Sequence, residues 1–438
     1  MLVLSIVVVA LLILYFVGVP VAAVLGIIAL GLMAGFSDRP LWEMTGMIAW
    51  NVGTTNVLVA VPMFIFMGEL LLRGGLTEQL YRCFSAWFRW LPGGLMQANI
   101  ATCAAFAAMS GSTAATAATI SRVALPVFRT RGYNEPLVVG SLAAGGTLGI
   151  LIPPSIILIV YGVLAEESIG ALYMAGVIPG LLLTAMFMAA IVGIALWRPQ
   201  YAPPEPPTPW REKIRLSIAI VPSAVLIAIV LGTIYMGIAT PTESASLGVV
   251  GAFILAAIAG KVNREMLRGT FLNTANTTAM VLLIVSAAFM LNFVLAIFGI
   301  PQTLARAVGN LGWSPTAIIW VLIAFYVVMG TFMDEYSMVV TTIPVVLPII
   351  KALGVDLVWF GILITVLVEV ALISPPHGLT LFVLQNVRMQ NAGKDGRVGT
   401  VMDLYIGVMP FMVVMLVLVA LLVAFPAIAT WLPATMRR

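Results

Sequence analysis

Apolar runs long enough to cross a lipid bilayer recur along this sequence, for example at Ala171–Trp197, Leu216–Ile238 and Ala279–Phe298. Roughly 17–25 consecutive apolar residues are enough for one membrane-spanning helix. Charged residues make up only 9% of the 438 residues, against about 25% in ordinary soluble domains. The sequence therefore predicts an all-α polytopic membrane protein. Its first apolar run, Leu2–Phe16, has no preceding basic residue, and we interpret it as a retained helix rather than a cleaved signal.

Few residues could carry covalent or metal chemistry. Cys83 and Cys103 are the only cysteines, and His377 is the only histidine, so that a disulfide framework, a metal cage or a multi-histidine site is excluded. No nucleophile paired with a base can be identified, which argues against an enzyme. The ATP-binding pattern G-x-x-x-x-G-K-[ST] is also absent from the sequence, and an ion gradient is therefore the expected energy source. We expect no organic cofactor.

One apolar stretch, "GTLGILIPPSII" at Gly146–Ile157, contains two adjacent prolines, Pro153 and Pro154. Two prolines remove two backbone donors and clash with the preceding helical turn, so they break a helix. An unpaired backbone group in lipid costs several kcal/mol. A break at this depth therefore needs a function that offsets its cost.

The same break occurs a second time, 222 residues further along the chain. "LPVFRTRGY" at Leu125–Tyr133 matches "LPIIKALGV" at Leu347–Val355, and in the same register "LIPPS" at Leu151–Ser155 falls on "ISPPH" at Ile373–His377. Glycine-containing interruptions, "MSGSTAATAAT" and "MGTFMDEYSM", precede the two copies. Paired interruptions of apolar segments in equivalent places of two halves indicate the central site of a transporter.

Two repeats are therefore expected, residues 1–200 and 216–438, joined by a proline-rich cytoplasmic linker at 201–215. Each repeat should contain a re-entrant helical hairpin, at about 94–131 and 315–351, and a broken helix, at about 136–164 and 357–387.

The distribution of Lys and Arg predicts that the repeats are inverted. Five cationic loops contain most of these residues and are assigned to the cytoplasm by the positive-inside rule, namely Arg73–Arg89, Arg129–Arg131, Arg198–Arg215, Lys261–Arg268 and Arg388–Arg397. This assignment places "RTRGYNEP" and its repeat partner "KALGVD" on opposite sides of the membrane.

The hairpin tips and the breaks form the candidate site. The first tip, Met109–Thr113, offers hydroxyls and a glycine that can expose backbone carbonyls, and the break Gly145–Pro154 would be its partner. Oxygen ligands of this kind suit a hard cation such as Na⁺. The second tip, Gly330–Glu335, would face Val368–Pro376. A packing role remains the alternative, because small-residue runs occur wherever membrane helices approach closely.

Two carboxylates are the strongest single candidates. Asp334 and Glu369 are expected at membrane depth, where an acid is expensive and indicates function by default. Glu369 aligns with Thr147, so that the two sites should differ chemically. One of the two carboxylates could accept a proton, or either could pair with a buried donor. His377 could titrate or act as a hydrogen-bonded spacer, and Arg122 could attract an anionic substrate or snorkel to the surface.

Two other acids are given structural roles. In "TPTE", Thr240–Glu243, the threonine is an expected N-cap and the glutamate completes a capping box. Glu69 is expected to pair with Arg73, one helical turn further on.

The motifs of the whole chain resemble those of the large membrane subunit of TRAP transporters, the tripartite ATP-independent periplasmic carriers. The similar stretches occur in the right order and are "VPMFIFMGELLLRGGL", "SGSTAATAATI", "RGYNEPL", "GTLGILIPPSIILIVYG", "GIATPTESA", "TTIPVVLPIIKALGVD" and "ISPPHGLTLFVLQNV". The resemblance implies a Na⁺-driven, elevator-type importer of organic acids in the bacterial inner membrane. It also implies two partners, a small four-helix membrane subunit and a periplasmic substrate-binding protein.

The resemblance also implies site residues. Sodium would be held at positions from both halves, namely Ser110, Gly111, Ser112, Gly145, Gly149, Gly330, Asp334, Ser374 and Pro375. The residues expected next to the substrate are Thr113, Pro153, Pro154, Ser155, Glu369, Pro376 and His377.

Rival functions remain open at this stage. The nearest is a stand-alone sodium or proton symporter for dicarboxylates, which would not require a binding protein. An integral-membrane enzyme or a helical scaffold belongs to a different class. The missing catalytic constellation argues against the enzyme, and two costly breaks in register argue against the scaffold.

Overall fold

The computed structural model describes residues 2–391 and 399–436, which are helical apart from turns and connecting segments. This confirms the all-α fold class. Of the cationic residues used above to orient the chain, Lys394 and Arg397 lie outside the described residues, and so do the terminal Arg437 and Arg438. Seven helical segments within the described ranges are long and apolar enough to cross a membrane.

The first half of the chain forms ten α-helices, which are α1 (Leu2–Phe16), α2 (Val21–Phe36), α3 (Met44–Gly53), α4 (Ala60–Arg73), α5 (Leu76–Phe88), α6 (Leu95–Ser110), α7 (Thr113–Arg129), α8 (Glu135–Thr147), α9 (Ile156–Ala165) and α10 (Ile169–Trp197).

The second half forms α11 (Trp210–Tyr235), α12 (Pro241–Ile258), α13 (Arg264–Ile297), α14 (Ile300–Gly309), α15 (Pro315–Gly330), α16 (Glu335–Ala352), α17 (Leu357–Ile373), α18 (Leu379–Gln390), α19 (Val401–Ala424) and α20 (Ala427–Ala434).

Short amphipathic helices occupy segments that were expected to be connections. The segment Arg73–Arg89, interpreted above as a loop, is mostly the helix α5. This helix buries Leu80 and Tyr81 on one face and exposes Glu78 and Arg82 on the other. The charges that suggested a loop are thus the solvated face of a helix. The equally amphipathic α14 was also missed.

Local capping chemistry matches its prediction. Thr240 begins α12 by accepting a hydrogen bond from the Glu243 amide at 3.3 Å, and the Glu243 carboxylate accepts one from the Thr240 amide at 2.8 Å. The predicted capping box is therefore confirmed. The expected pair is also present, because Arg73 Nε donates to Glu69 Oε2 at 3.0 Å.

The helices α8 and α19 touch backbone to backbone. A Cβ atom on Gly140 would overlap the Gly407 carbonyl oxygen, and one on Gly407 would overlap the Pro136 carbonyl oxygen. Only glycine therefore allows this approach, as expected where membrane helices pack closely through small residues.

Beside this contact, Arg388 of α18 is completely buried. Its guanidinium donates to Glu135 of α8 at 2.6 Å and lies 3.6 Å from Asp403 of α19. It also donates to the side chain of Gln385 and to the Thr400 carbonyl. The buried charge is thus paired and hydrogen-bonded, as burial of a charge requires, and it joins three helices from both halves.

The linker before α11 is docked rather than free. Its Glu205 side chain is only 3% exposed and accepts hydrogen bonds from Arg89 at 2.9 Å and Arg131 at 3.0 Å. These arginines flank the hairpin formed by α6 and α7. The Tyr201 carbonyl also accepts a hydrogen bond from the Asn134 amide. The linker therefore holds together the two ends of this hairpin.

The contact between α8 and α19 yields a stability prediction. Gly140→Ala should lower the free energy of unfolding by about 1–3 kcal/mol, because neither backbone can yield to the added methyl group. The measurement is the thermal midpoint of the purified chain in detergent.

Gly193→Ala in α10 is the matched control, because nothing lies within 4 Å of its added Cβ. This control should be neutral or stabilising, since alanine favours a helix over glycine by up to about 1 kcal/mol. Equal midpoints for the two variants would contradict the close contact.

Candidate functional site

The tip of the first hairpin touches the first break through backbone atoms. A Cβ on Gly111 would lie 2.6 Å from the Pro154 carbonyl oxygen, and one on Gly149 would lie 2.8 Å from the Ser112 carbonyl oxygen. Gly111 also has a φ of +59°, which glycine adopts without steric cost. The structure thus brings Gly111, Ser112, Gly149 and Pro154 together. It places Gly145 elsewhere, against Cys103 of α6.

Hydroxyl oxygens surround this contact. Ser110 Oγ and Thr116 Oγ1 are 2.9 Å apart, and Thr116 donates to the Ser112 carbonyl at 2.7 Å. Thr113 is buried, and its hydroxyl has no hydrogen-bond partner. Thr116 was not among the predicted residues, although its place one turn after Ser112 could have indicated it. These carbonyl and hydroxyl oxygens are ligands that a hard cation prefers.

The first break is wholly buried. α8 ends at Thr147 in a short 3-10 turn, Leu148–Ile150, and α9 begins after Ser155. The Ser155 hydroxyl donates to the Ile150 carbonyl and accepts a hydrogen bond from the Leu158 amide at 3.3 Å. Ser155 therefore satisfies backbone groups on both sides of the break, which lipid could not do.

At the second tip Asp334 is the N-cap of α16. Its carboxylate accepts hydrogen bonds from the amides of Tyr336 at 3.2 Å and Ser337 at 3.3 Å, and also from the Ser337 hydroxyl. Gly330, at the end of α15, lies against Ala371 of α17, because a Cβ there would be 2.5 Å from the alanine methyl group. The structure thus places Asp334 at the tip and Gly330 beside the helix that leads to the second break.

Two further acids are buried near this tip. Glu369 is 0% exposed and Glu335 is 5% exposed. Both oxygens of Glu369 and one of Glu335 have no hydrogen-bond partner. Thr113 of the first hairpin faces Glu335 without a regular hydrogen bond. The two hairpin tips therefore meet at Glu335. This residue lies within the predicted second tip, but it was not among the predicted site residues.

The N-terminal helix also reaches this region. The Tyr15 hydroxyl of α1 lies 3.1 Å from Thr341 Oγ1 of α16. Nothing in the sequence distinguishes Tyr15 from an ordinary interfacial aromatic residue, and only the tertiary fold brings it to the second hairpin.

The second break is more open than the first. Ser374 is buried at the end of α17, whereas Pro376 and His377 are exposed. The Tyr405 hydroxyl of α19 donates to the Pro376 carbonyl at 3.0 Å. The structure therefore places His377 at the surface, away from the packed tip. Arg122 is likewise exposed, on α7.

The described part of the chain has no group of three His, Cys, Asp or Glu side chains that could hold a metal ion. A cation bound at the first tip would depend on backbone and hydroxyl oxygens, whereas the second tip also offers the carboxylate of Asp334. The uncharged oxygen set of the first tip suits a monovalent ion that must be released again.

Comparison with known proteins shows clear relatives. The sequence model of the family described as "Tripartite ATP-independent periplasmic transporter, DctM component" matches residues 8–428. The C4-dicarboxylate TRAP transporter large permease protein DctM of Vibrio cholerae is 30% identical, over 95% of this chain and 94% of the relative. The isethionate TRAP transporter permease protein DctMQ of Oleidesulfovibrio alaskensis is 33% identical, over 95% of this chain and 63% of the relative.

Solved structures share the fold at low identity. The structure of Neisseria gonorrhoeae MtrF, which represents a class of antimetabolite efflux pumps, is one of them. It matches with a TM-score of 0.63 and 13% identity, over 95% of this chain and 94% of that one. The Alcanivorax borkumensis YdaH transporter matches with a TM-score of 0.61 and 14% identity, over 93% of this chain and 97% of that one.

The cap of the first break yields a prediction. Ser155→Ala should lower the free energy of unfolding by about 1–2 kcal/mol, because it removes the N-cap of α9 and leaves the buried Ile150 carbonyl without its donor. The readout is the thermal midpoint in detergent.

Ser168→Ala is the control, because Ser168 caps α10 in the same way at an exposed position. If the two variants lost the same stability, the Ser155 hydroxyl would be acting only as a cap and not as a bridge across the break.

Proposed function

We propose a function from a plain premise: this chain belongs to the DctM family of tripartite ATP-independent periplasmic transporters. It is therefore a large, multi-pass membrane permease subunit, and the family consists of transport proteins rather than enzymes. We propose further that it imports an organic acid by coupling uptake to a Na⁺ gradient.

The single observation that carries the Na⁺ proposal is the backbone contact between the first tip and the first break. In our proposal Na⁺ binds oxygen atoms of Ser110, Gly111, Ser112 and Gly149, and its charge draws the tip onto the break. Without a cation, the carbonyl dipoles that converge here would repel one another. The pseudo-equivalent site would use Gly330, Asp334, Ser374 and Pro375.

The organic acid is proposed to bind between the two tips. The N-terminus of α9 presents backbone amides with a partial positive charge, which favours an anion. Ser155 caps this terminus, and Thr113 of the first tip offers a hydroxyl without a hydrogen-bond partner. The buried carboxylates Glu335 and Glu369 would repel an anionic substrate unless cations or protons neutralise them, so that substrate binding would require prior cation binding. This coupling would make transport strictly ion-dependent.

The class of substrate is proposed from the relatives. Their names specify C4-dicarboxylate, isethionate and sialic acid, which are all organic acids. An elevator-type movement of the hairpins and broken helices against the other helices is the proposed transport step.

The partners are proposed on the same basis. A small membrane subunit and a periplasmic substrate-binding protein would complete the transporter in the inner membrane of a bacterium. Two relatives are longer than this chain, which covers 63% of one and 67% of the other. The name DctMQ of the first is consistent with a fused second subunit.

The proposal is tested by uptake into proteoliposomes that contain this chain and its small partner subunit. Candidate binding proteins loaded with labelled organic acids are added outside, with and without an inward Na⁺ gradient. We expect uptake only when both the binding protein and the Na⁺ gradient are present.

Two outcomes would change the assignment. Uptake with Na⁺ but without a binding protein would favour the stand-alone symporter. Uptake that is driven equally by a proton gradient in the absence of Na⁺ would overturn the choice of coupling ion.

A variant tests the Na⁺ site directly. Gly149→Ala places a methyl group against the Ser112 carbonyl and should separate the tip from the break. We expect Na⁺ at about 100 times its dissociation constant to stabilise the unchanged chain by about 2.7 kcal/mol and to have little effect on the variant.

The measurement is the thermal midpoint in NaCl against choline chloride, with Gly193→Ala as the matched control. A Gly149→Ala variant that is stabilised by Na⁺ as strongly as this control would exclude Gly149 from the ion site.

A further inference from the structure

A cavity of about 540 Å³ lies far from the hairpin tips, beside the linker. Its walls come from α5, the beginnings of α6 and α11, and the end of α7. Leu95, Val123, Val127 and Leu216 form its apolar side. The cavity has no role in the transport function proposed above.

Four polar groups on the cavity wall lack partners. The hydroxyls of Tyr81, Ser85 and Thr208 and the Nε of Arg89 are buried, and none of them makes a regular hydrogen bond, although the hydroxyls of Tyr81 and Ser85 face each other one helical turn apart. Tyr81 is only 4% exposed. A buried, unsatisfied polar group is destabilising, and such groups are rare in native proteins. Four of them around one cavity indicate a missing ligand that is rich in hydrogen-bond acceptors.

The charges at the cavity define the ligand further. Arg82 is paired with Glu78 at 2.6 Å, and the Nη2 of Arg89 is bound to Glu205. Glu212 lines the same cavity, is exposed, and makes no ion pair within the described residues. The cavity therefore offers a cluster of donors at one place and an unpaired carboxylate at another.

Aromatic residues fix the depth of the cavity in the membrane. Trp87 and Trp210 are exposed, and the Lys213 ammonium lies 5.4 Å and 5.1 Å from the centres of their rings. Tryptophan and snorkelling lysine are enriched at the level of lipid headgroups. The cavity thus lies at the headgroup level, with its apolar wall towards the hydrocarbon.

We propose that this cavity binds the headgroup of a zwitterionic phospholipid, phosphatidylethanolamine. The phosphate oxygens accept hydrogen bonds from the hydroxyls of Tyr81, Ser85 and Thr208 and from Arg89 Nε. The ammonium group pairs with Glu212. The parts of the acyl chains nearest the headgroup contact Val123 and Val127 of α7.

The same charges distinguish this lipid from an anionic one. Phosphatidylglycerol carries no ammonium group and would bring a net negative charge close to Glu212. Among the described residues that line the cavity, both arginines are already paired, Arg82 with Glu78 and Arg89 with Glu205, and only the Nε of Arg89 is left as a cationic donor. An anionic headgroup therefore gains less here. Phosphatidylethanolamine should therefore be preferred.

The test is lipid retention by the full chain, purified in mild detergent and stripped of lipid. Equal amounts of phosphatidylethanolamine and phosphatidylglycerol are added, and bound lipid is counted by native mass spectrometry. The triple variant Y81F/S85A/T208V should lower the retention of phosphatidylethanolamine by about 100-fold, since it removes three hydrogen bonds of about 1 kcal/mol each. Tyr235→Phe is the control, because its hydroxyl bonds Thr435 elsewhere.

The triple variant should fold normally, because none of its three hydroxyls makes a regular hydrogen bond in the protein. Glu212→Gln is an independent surface variant, and it should abolish the preference for phosphatidylethanolamine over phosphatidylglycerol. Unchanged retention in the triple variant would overturn the proposal, and so would an unchanged preference in Glu212→Gln.

A third measurement distinguishes the lipid from a soluble ligand that has the same headgroup. Water-soluble glycerophosphoethanolamine lacks acyl chains and should compete only weakly. Binding of this compound as tight as that of the lipid would assign the cavity to a free phosphoester instead. None of these readouts involves uptake or Na⁺, so they are independent of the proposed transport function.

Discussion

The need to pair every backbone polar group inside a bilayer is the constraint on which this structure depends. The chain breaks two membrane helices and must then supply partners for the exposed amides and carbonyls. At the first break the Ser155 hydroxyl bridges the two sides, and the tip of the first hairpin packs against the break at Gly111 and Gly149. The Gly68 backbone of α4 supports that tip from behind, against Met109 and Ser110. The contact between the first tip and the first break is thus built almost entirely from main-chain atoms and small side chains.

The two breaks satisfy this constraint to different degrees. The first is sealed, whereas the second exposes Pro376 and His377. The acids are also concentrated in one half, since Asp334, Glu335 and Glu369 have no counterpart at the first tip. A chain whose halves resemble each other in sequence therefore has one uncharged and one acidic hairpin tip.

Local chemistry explains what could be predicted from the sequence. Proline pairs break helices wherever they occur, and Thr240 with Glu243 forms a capping box within four residues. The hairpin tips were recognisable because glycine and serine interrupt apolar runs. These features depend on neighbours in the chain. The capping box was found at the expected residues, and helices are interrupted at both proline pairs.

Tertiary context explains what was missed. The charged residues of α5 suggested a loop, although Glu78 and Arg82 are spaced by one helical turn and form the solvated face of a helix. Arg388 was counted as a surface charge, yet it is buried because Glu135 and Asp403 arrive from distant segments. Thr116, Tyr15 and the cavity beside the linker likewise depend on contacts between remote helices. No local pattern marks such residues.

The contact between Gly140 and Gly407 has a mechanical consequence. Two helices that meet main chain to main chain cannot approach further, and a rotation that turned a larger side chain into the contact would drive it into the opposite backbone. The ion pairs of Arg388 add α18 to the same packed unit. The first part of the broken helix of the first half, the end of the second broken helix and the last long span are therefore tied together as one unit that draws on both halves of the sequence.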